Sequence, residues 1–181
     1  MIVLVDGPSG SGKTTLATRL GILLRLPVIH MDDFYPGWSG LAAGSDIIAA
    51  SVLKTTDPGY YRWDWANDRA GEWVPVPPGA KIIEGAGAVT AETLRAASIS
   101  DPRVAAIMLT GEATTRYRRA MRRDPYYEPY WEMWAEQEKR HYAVQSQGLG
   151  DLVPTLWIDT TGLDAGQVVR RAYDFITYYV E

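Results

Sequence analysis

The residues GPSGSGKT, 7 to 14, bring glycines, hydroxyls and one lysine together at a spacing suited to holding phosphate. Glycines let backbone N–H groups turn inward around phosphate oxygens without side-chain clash. A helix starting directly after them adds the positive end of its dipole. Lys13 supplies an ammonium for the outer phosphates of a nucleoside triphosphate, and the Thr14 hydroxyl is a ligand type for Mg²⁺. Contacts to ATP are expected from Gly7, Ser9, Gly10, Ser11, Gly12, Lys13, Thr14 and Thr15. ATP and Mg²⁺ are thus the expected cofactors.

Two further constellations carry chemistry. In HMDDFYPGW (30–38), Asp32 and Asp33 end what reads as a short strand. Ligands of open α/β sheets lie outside the carboxyl ends of their strands, where a carboxylate is well placed to work. A polar turn or a helix N-cap would use the same residue types. In TRYRRAMRRD, Arg116, Arg119 and Arg123 fall at i, i+3 and i+7, on one face of a helix. Such a face can close on ATP and neutralise charge spreading over a transferred phosphoryl group. Arg116 and Arg119 are the first candidates for that catalytic role, with Arg123 beside them on the nucleotide. The competing reading is a solvated stripe paired with glutamates of 128–138. His30 and His141 are isolated and read as structural.

The elements that must position these groups follow from periodicity and punctuation. IVLV (2–5) is a strand apolar on both faces, as in a parallel sheet. Residues 13–25 carry Leu16, Leu20, Leu23 and Leu24 at helical spacing, and Pro27 stops that helix. Further strands are expected at 28–31, 80–85, 103–111 and 155–159. Helices are expected at 46–54, with Asp46 near the start, and at 91–97, 112–123, 130–145 and 165–180. Residues 56–79 read as irregular, with a hairpin around EWVPV. Alternating strands and helices imply βαβ units: an α/β fold with a five-stranded parallel sheet sandwiched by helices. With no internal repeat and no linker, residues 1–181 are expected to form one domain.

Composition narrows the classes. A chain of 181 residues suffices for one buried core. The net charge of −4 gives no basic field for nucleic acid or an anionic membrane. The absence of cysteine excludes disulfides, thiolate catalysis and cysteine-based zinc sites. The opening MIVLVDG lacks a signal-peptide pattern, and no stretch approaches the roughly 18 apolar residues of a membrane span. A cytoplasmic location is the resulting expectation. Seven tryptophans and 11 tyrosines accompany two phenylalanines. They cluster at 60–73 and 126–134, as the polar-edged walls of a ligand cleft or as packing under loops.

Among nucleotide-binding classes, a common GTPase reads guanine with N-K-x-D, and the only asparagine here is Asn67, in WANDR. The apolar strands end in Asp32-Asp33, Glu84-Gly85 and Thr110-Gly111, none of them the D-E pair of many ATPases. A small-molecule kinase fits better. In order, GPSGSGKTT, DDFY, RWDW, IIEG and TRYRRAMRRD resemble the uridine kinase, phosphoribulokinase and pantothenate kinase group of P-loop kinases, over residues 1–124 and more loosely 155–164. The resemblance implies the P-loop NTPase fold with an arginine-rich lid at 112–145. It places the catalytic base on Asp32 and an acceptor contact on Tyr35, and it leaves Asp33 to shape the turn. It implies that Glu84, closing the third strand, holds Mg²⁺ with Thr14. RWDW occupies the place of the group's acceptor-binding F-D-H, which implies that Asp64 binds acceptor hydroxyls while Tyr61, Trp63 or Trp65 stacks on the acceptor. Residues 158–162 sit where such kinases wall the adenine. PYY replaces the RG that commonly follows RD in uridine kinases, so uridine itself is not implied.

The expected activity is ATP- and Mg²⁺-dependent transfer of the γ-phosphate to a hydroxyl of a small metabolite, a nucleoside being one candidate. One alternative is a kinase for a phosphorylated or carboxylated acceptor, which needs basic residues on the acceptor side. Between 36 and 80 only Lys54, Arg62 and Arg69 qualify. The other is a regulatory nucleotide-binding module with no acceptor. A homodimer is the one protein partner left open.

Overall fold

The computed structural model describes residues 1–145 and 152–180. Strand β1, Ile2–Asp6, is buried along its whole length and forms the centre of a parallel sheet of order β2-β5-β1-β6-β7. The other strands are β2 (Val28–His30), β5 (Lys81–Glu84), β6 (Val104–Thr110) and β7 (Thr155–Asp159). Register places Val5 opposite Glu84, His30 opposite Glu84, Asp6 opposite Met108 and Thr110 opposite Asp159. The carboxyl ends of all five strands therefore lie along one edge.

Side chains alternate between the two sheet faces, and each face has its own core. Ile2, Leu4, Ile83, Ala106 and Met108 pack against Leu41, Ile48, Leu94 and Ala97. These come from α2 (Leu41–Ile47), its continuation through a π-helical turn (Ile48–Val52), and α3 (Ala91–Ser100). Val3, Val5, Ile82, Ile107 and Leu109 pack against Leu16 and Leu20 of α1 (Lys13–Leu24) and Val168, Ala172 and Ile176 of α6 (Ala165–Val180). Helix α4 (Ala113–Arg123), a 3-10 turn (Pro125–Tyr130) and α5 (Trp131–Gln145) extend over the carboxyl edge. Among the described residues no helix is long and apolar enough to cross a membrane.

Two elements differ from the sequence expectation. The helix expected at 46–54 begins at Leu41, which puts Asp46 in its interior, because Leu41 anchors its first turn in the core. Gly44 lies under the Tyr35 ring, where a Cβ would collide. The stretch at 56–79, expected to be irregular around a hairpin at EWVPV, is an antiparallel ribbon over most of its length, β3 (Gly59–Asp64) with β4 (Arg69–Pro75), and β4 carries EWVP. Aromatic and β-branched residues drive it, and the Asp64 carboxylate closes its turn by accepting from Ala66 N, Asn67 N and Asn67 Nδ2.

Asp6 ends β1 fully buried. Its Oδ1 accepts from Gly7 N (2.6 Å), Gly87 N (3.0 Å) and Tyr142 OH (2.7 Å), and its Oδ2 from Val89 N (2.8 Å). One carboxylate thus ties β1 to the loop after β5 and to α5. Asp6→Asn points an N–H₂ at groups that are all donors. A loss of about 3 kcal/mol is expected, read as a fall of roughly 6–12 °C in Tm by calorimetry.

Candidate active site

Residues Gly7–Thr14 connect the end of β1 to α1. At Gly10 the Arg116 carbonyl comes so close that a Cβ would collide with it, and φ is +76°. Gly12, at φ +99°, caps α1 with nothing within 4 Å of where a Cβ would stand. The loop is thus held on its outer side and open at the helix N-terminus. Ser11 Oγ is buried within it and has no hydrogen-bond partner among the described residues. Lys13 Nζ folds back to the Pro8 carbonyl at 3.2 Å. An open ring of glycine amides, an unsatisfied hydroxyl and a movable ammonium fit the phosphates of a nucleotide.

A cleft of about 460 Å³ opens over this loop. Ser9 to Thr15 line its floor, and Asp32, Glu84, Arg119 and Arg123 stand on one side. Thr160, held by Arg119, completes the lining with Leu163, Ala165 and Val168, and belongs to the 158–162 stretch expected beside adenine. Gly7, directly after the carboxyl end of β1, does not line the cleft. A second cavity, of about 430 Å³, is walled by Trp38, Trp65, Tyr127, Tyr130 and Trp134. Both cavities share Ser9, Asp32, Tyr35, Arg123 and Trp134. Asp32 therefore stands at the junction.

The 3-10 turn Met31–Asp33 places Asp32 there. Its backbone carbonyl accepts from Trp65 Nε1 at 3.0 Å, which fixes the turn against the ribbon. Asp33 points the other way and accepts from Tyr60 OH at 3.2 Å. Asp32 is an exposed residue that faces the open cleft. Its carboxyl is held above the usual carboxylate range by loss of hydration first and by nearby Glu84 next, against the pull of Lys13 and Arg123.

Glu84 is buried, and its Oε1 lies 2.6 Å from His30 Nδ1 on the neighbouring strand. That bond is the largest cause raising the His30 pKa. His30 is therefore part of the site's edge rather than an isolated side chain. Only the β2–β5 register, which sets His30 opposite Glu84, reveals this. Thr14 and Glu84 both face the cleft with oxygen donors, a set that fits Mg²⁺.

The arginines of α4 divide by position. Arg119 spans Thr160, with Nη1 donating to Oγ1 at 2.9 Å and Nη2 to the carbonyl at 2.8 Å, and lines the cleft. Arg123 lines both cavities. Arg116 does not line the cleft: its Nη1 donates to Ser9 O (2.9 Å), its Nε donates to Gly111 O (3.0 Å), and it lies over the Trp131 ring. It braces the loop from behind.

Tyr35 is buried, donates to the Ala86 carbonyl at 2.8 Å and shows its ring to both cavities. Trp65 stands in the aromatic wall. Tyr61 and Asp64 do not reach either cavity: Tyr61 is exposed beside Trp73, and Asp64 is spent on its own turn. Trp38, at the end of the FYPGW stretch that reads in the sequence as the start of an acceptor wall, stacks on Tyr130 at 3.8 Å between centroids and lines the second cavity. Glu138, one of the glutamates of 128–138 expected opposite the arginine stripe, lies 4.0 Å from Arg116 but also accepts from Ser9 N and Oγ at 2.7 Å each, a contact no local signal marked.

No protein-family model matches the sequence, and no curated protein matches it as a relative. Solved structures do match its shape. A gluconokinase from Sinorhizobium meliloti 1021 aligns over 97% of this chain and 91% of its own at 16% identity, with a TM-score of 0.59. A shikimate kinase from Acinetobacter baumannii, in complex with shikimate, aligns over 98% and 93% at 14% identity, TM-score 0.60. A sugar kinase from Janibacter sp. HTCC2649 aligns over 97% and 94% at 19% identity, TM-score 0.58. The chain has the fold of these P-loop kinases. Its five-stranded parallel sheet and flanking helices follow theirs over nearly the whole length.

Proposed function

We propose that the protein is an ATP- and Mg²⁺-dependent kinase that transfers the γ-phosphate to a hydroxyl of a small metabolite. The observation that carries this reading is the meeting of two cavities at Asp32, one floored by the glycine-rich loop and one walled by aromatics. A nucleotide in the first and an alcohol in the second would face each other across that carboxylate. Similarity of fold to a gluconokinase, a sugar kinase and a shikimate kinase supports the same class.

In this mechanism Asp32 accepts the acceptor's hydroxyl proton as that oxygen attacks the γ-phosphorus and the bond to ADP breaks. Lys13 holds the outer phosphates in line, and Arg119 and Arg123 offset charge on the moving phosphoryl group. Arg116 acts by bracing Ser9 rather than by touching phosphate. Thr14 and Glu84 would hold Mg²⁺, which would supply charge neutralisation to the phosphates. The α4–α5 segment is the lid of this scheme.

The acceptor is an alcohol without a phosphate or carboxylate group, a nucleoside being one candidate. Of the cations that could serve an anionic acceptor, the three between residues 36 and 80 are committed elsewhere, and Arg123 is shared with the nucleotide cleft. Lys54 lies over Trp73, Arg62 pairs with Glu72, and Arg69 stands 4.0 Å from Asp64. None lines the second cavity, whose charged groups are Arg123, Asp32 and Asp124. ADP release should be measured with nucleosides, neutral sugars, pantothenate-like alcohols, sugar acids and nucleoside monophosphates. Uncharged alcohols are expected to give the highest kcat/KM. Preference for acids or phosphates would refute this acceptor assignment, and no acceptor-stimulated turnover would favour the regulatory module.

A further inference from the structure

Ser9 is gripped from the α4–α5 segment on three sides. Its N–H and Oγ donate to Glu138 Oε1 at 2.7 Å each, its Oγ lies 3.1 Å from Tyr127 OH, and its carbonyl accepts from Arg116 Nη1 at 2.9 Å. Glu138 Oε2 stands 4.0 Å from Arg116 Nη1. Glu138 is only 2% exposed. It is therefore a buried carboxylate seated on the loop whose neighbouring amides and ammonium form the anion site. A buried carboxylate persists only with compensating partners. Here they are the Ser9 donors, Arg116 and the field of Lys13.

Those partners change when nucleotide phosphates enter. Lys13 turns to phosphate, and several negative charges arrive beside a carboxylate that water cannot screen. Loss of hydration already pushes the Glu138 carboxyl above its usual range. Added negative charge acts in the same direction. The groups facing Glu138 from surrounding elements are Lys13 at the start of α1, Arg116 on α4, Tyr127 in the 3-10 turn, Tyr35 after β2 and Tyr142 on α5 itself. All three tyrosines are pushed upward in pKa, so none supplies an anion or gives up a proton near neutral pH.

We propose that Glu138 is a further positioning residue of this site, one that keeps Oε1 on Ser9 while taking one proton from solvent onto Oε2 as nucleotide phosphates enter the loop. The neutral acid still fixes Ser9 and the α4–α5 segment but no longer repels the nucleotide. The proposal rests on the reading of Gly7–Thr14 as a nucleotide site. Its consequence is that ATP affinity depends on pH: binding coupled to proton uptake weakens as pH rises, by up to about tenfold per pH unit where uptake is complete.

Calorimetric titration with ATP and Mg²⁺, in two buffers of different ionisation enthalpy, measures the uptake directly. The wild-type protein is expected to take up a proton on binding and to bind more weakly as pH rises. Glu138→Gln keeps the size and the Oε1 acceptor but not the charge. It is expected to bind ATP at least as tightly, with that uptake and its pH dependence gone; subtracting it also removes any proton change of the nucleotide itself. Uptake unchanged in Glu138→Gln, or no uptake in the wild type, overturns the proposal. So does a loss of affinity in Glu138→Gln as large as in Lys13→Ala, which would mark Glu138 as a strut alone. The wild-type measurement needs no variant to fold. If the wild type fails to bind ATP at all, the nucleotide reading falls and the proposal with it. If it binds and Lys13→Ala does not, while uptake is missing, only the role of Glu138 falls.

Discussion

Asp32→Asn is expected to lower kcat by about 10²–10⁴-fold, the range for loss of a positioned general base, with the affinity for ATP nearly unchanged. The isosteric amide preserves the turn, because the Trp65 bond is made to the Asp32 backbone carbonyl and the Tyr60 bond to Asp33. What it removes is a proton acceptor at the junction of the two cavities. The pH dependence adds a second signature. A general base works ionised, and partial loss of hydration in the cleft, with nearby Glu84, pushes the Asp32 carboxyl above the ordinary carboxylate range. Turnover should therefore fall as pH drops through that raised pKa, and this acid limb should vanish from the residual activity of Asp32→Asn. Steady-state kinetics from pH 4 to 9 with the best acceptor, together with ATP titration, would decide it; retention of wild-type kcat would refute the base assignment.

Lys13→Ala is expected to fail differently, damaging both nucleotide binding and turnover, with kcat/KM for ATP down by about 10²–10³-fold. Lys13 is the first residue of α1, and its ammonium rests on the Pro8 carbonyl at the rim of the loop. That contact is cheap to give up, which leaves the ammonium able to follow phosphate charge through the reaction. The side chain lines the cleft rather than the core, so Tm should stay within about 2 °C of wild type, as for substitutions away from the core. Calorimetric titration with ATP and a thermal melt separate this outcome from misfolding. An Lys13→Ala protein that binds ATP as tightly as wild type would remove the basis for reading residues 7–14 as a phosphate cradle.

The two substitutions test two parts of one cleft, and the difference in what each spares is the informative part. Asp32 stands where the two cavities meet, and its substitution should spare ATP. Lys13 belongs to the loop and should spare nothing downstream of it.

Much of this organisation was legible in the chain. All five strands fell within one or two residues of the expected positions; β1, β5 and β6 could be read because a strand buried on both faces must be continuously apolar. The loop at 7–14 could be read because glycines at left-handed φ and a lysine at the helix start are local requirements of one short turn. Asp32 could be placed at a strand end because β2 and the turn after it are adjacent in sequence. The ribbon at 59–75 was legible only in part, because its glycines, prolines and aspartates hid the aromatic pairing that holds it.

Other features depend on which faces of distant elements meet. Glu138 sits 129 residues from Ser9, and Arg119 finds Thr160 across 41. The separation of three arginines on one helix face into a brace, a clasp on Thr160 and a group shared by both cavities depends on how α4 lies across the loop. Tyr61 and Asp64 are two and five residues after Gly59 on the same strand, yet neither turns toward the site, because the ribbon spends them on its own edge and turn. Local backbone requirements are written in consecutive residues, so the sequence by itself determined the sheet, the loop and the strand-end carboxylate. Long-range side-chain geometry is set by packing that no short window contains. The tertiary structure alone decided which charges reach the cleft, which are already bound, and that a buried glutamate rests on the loop.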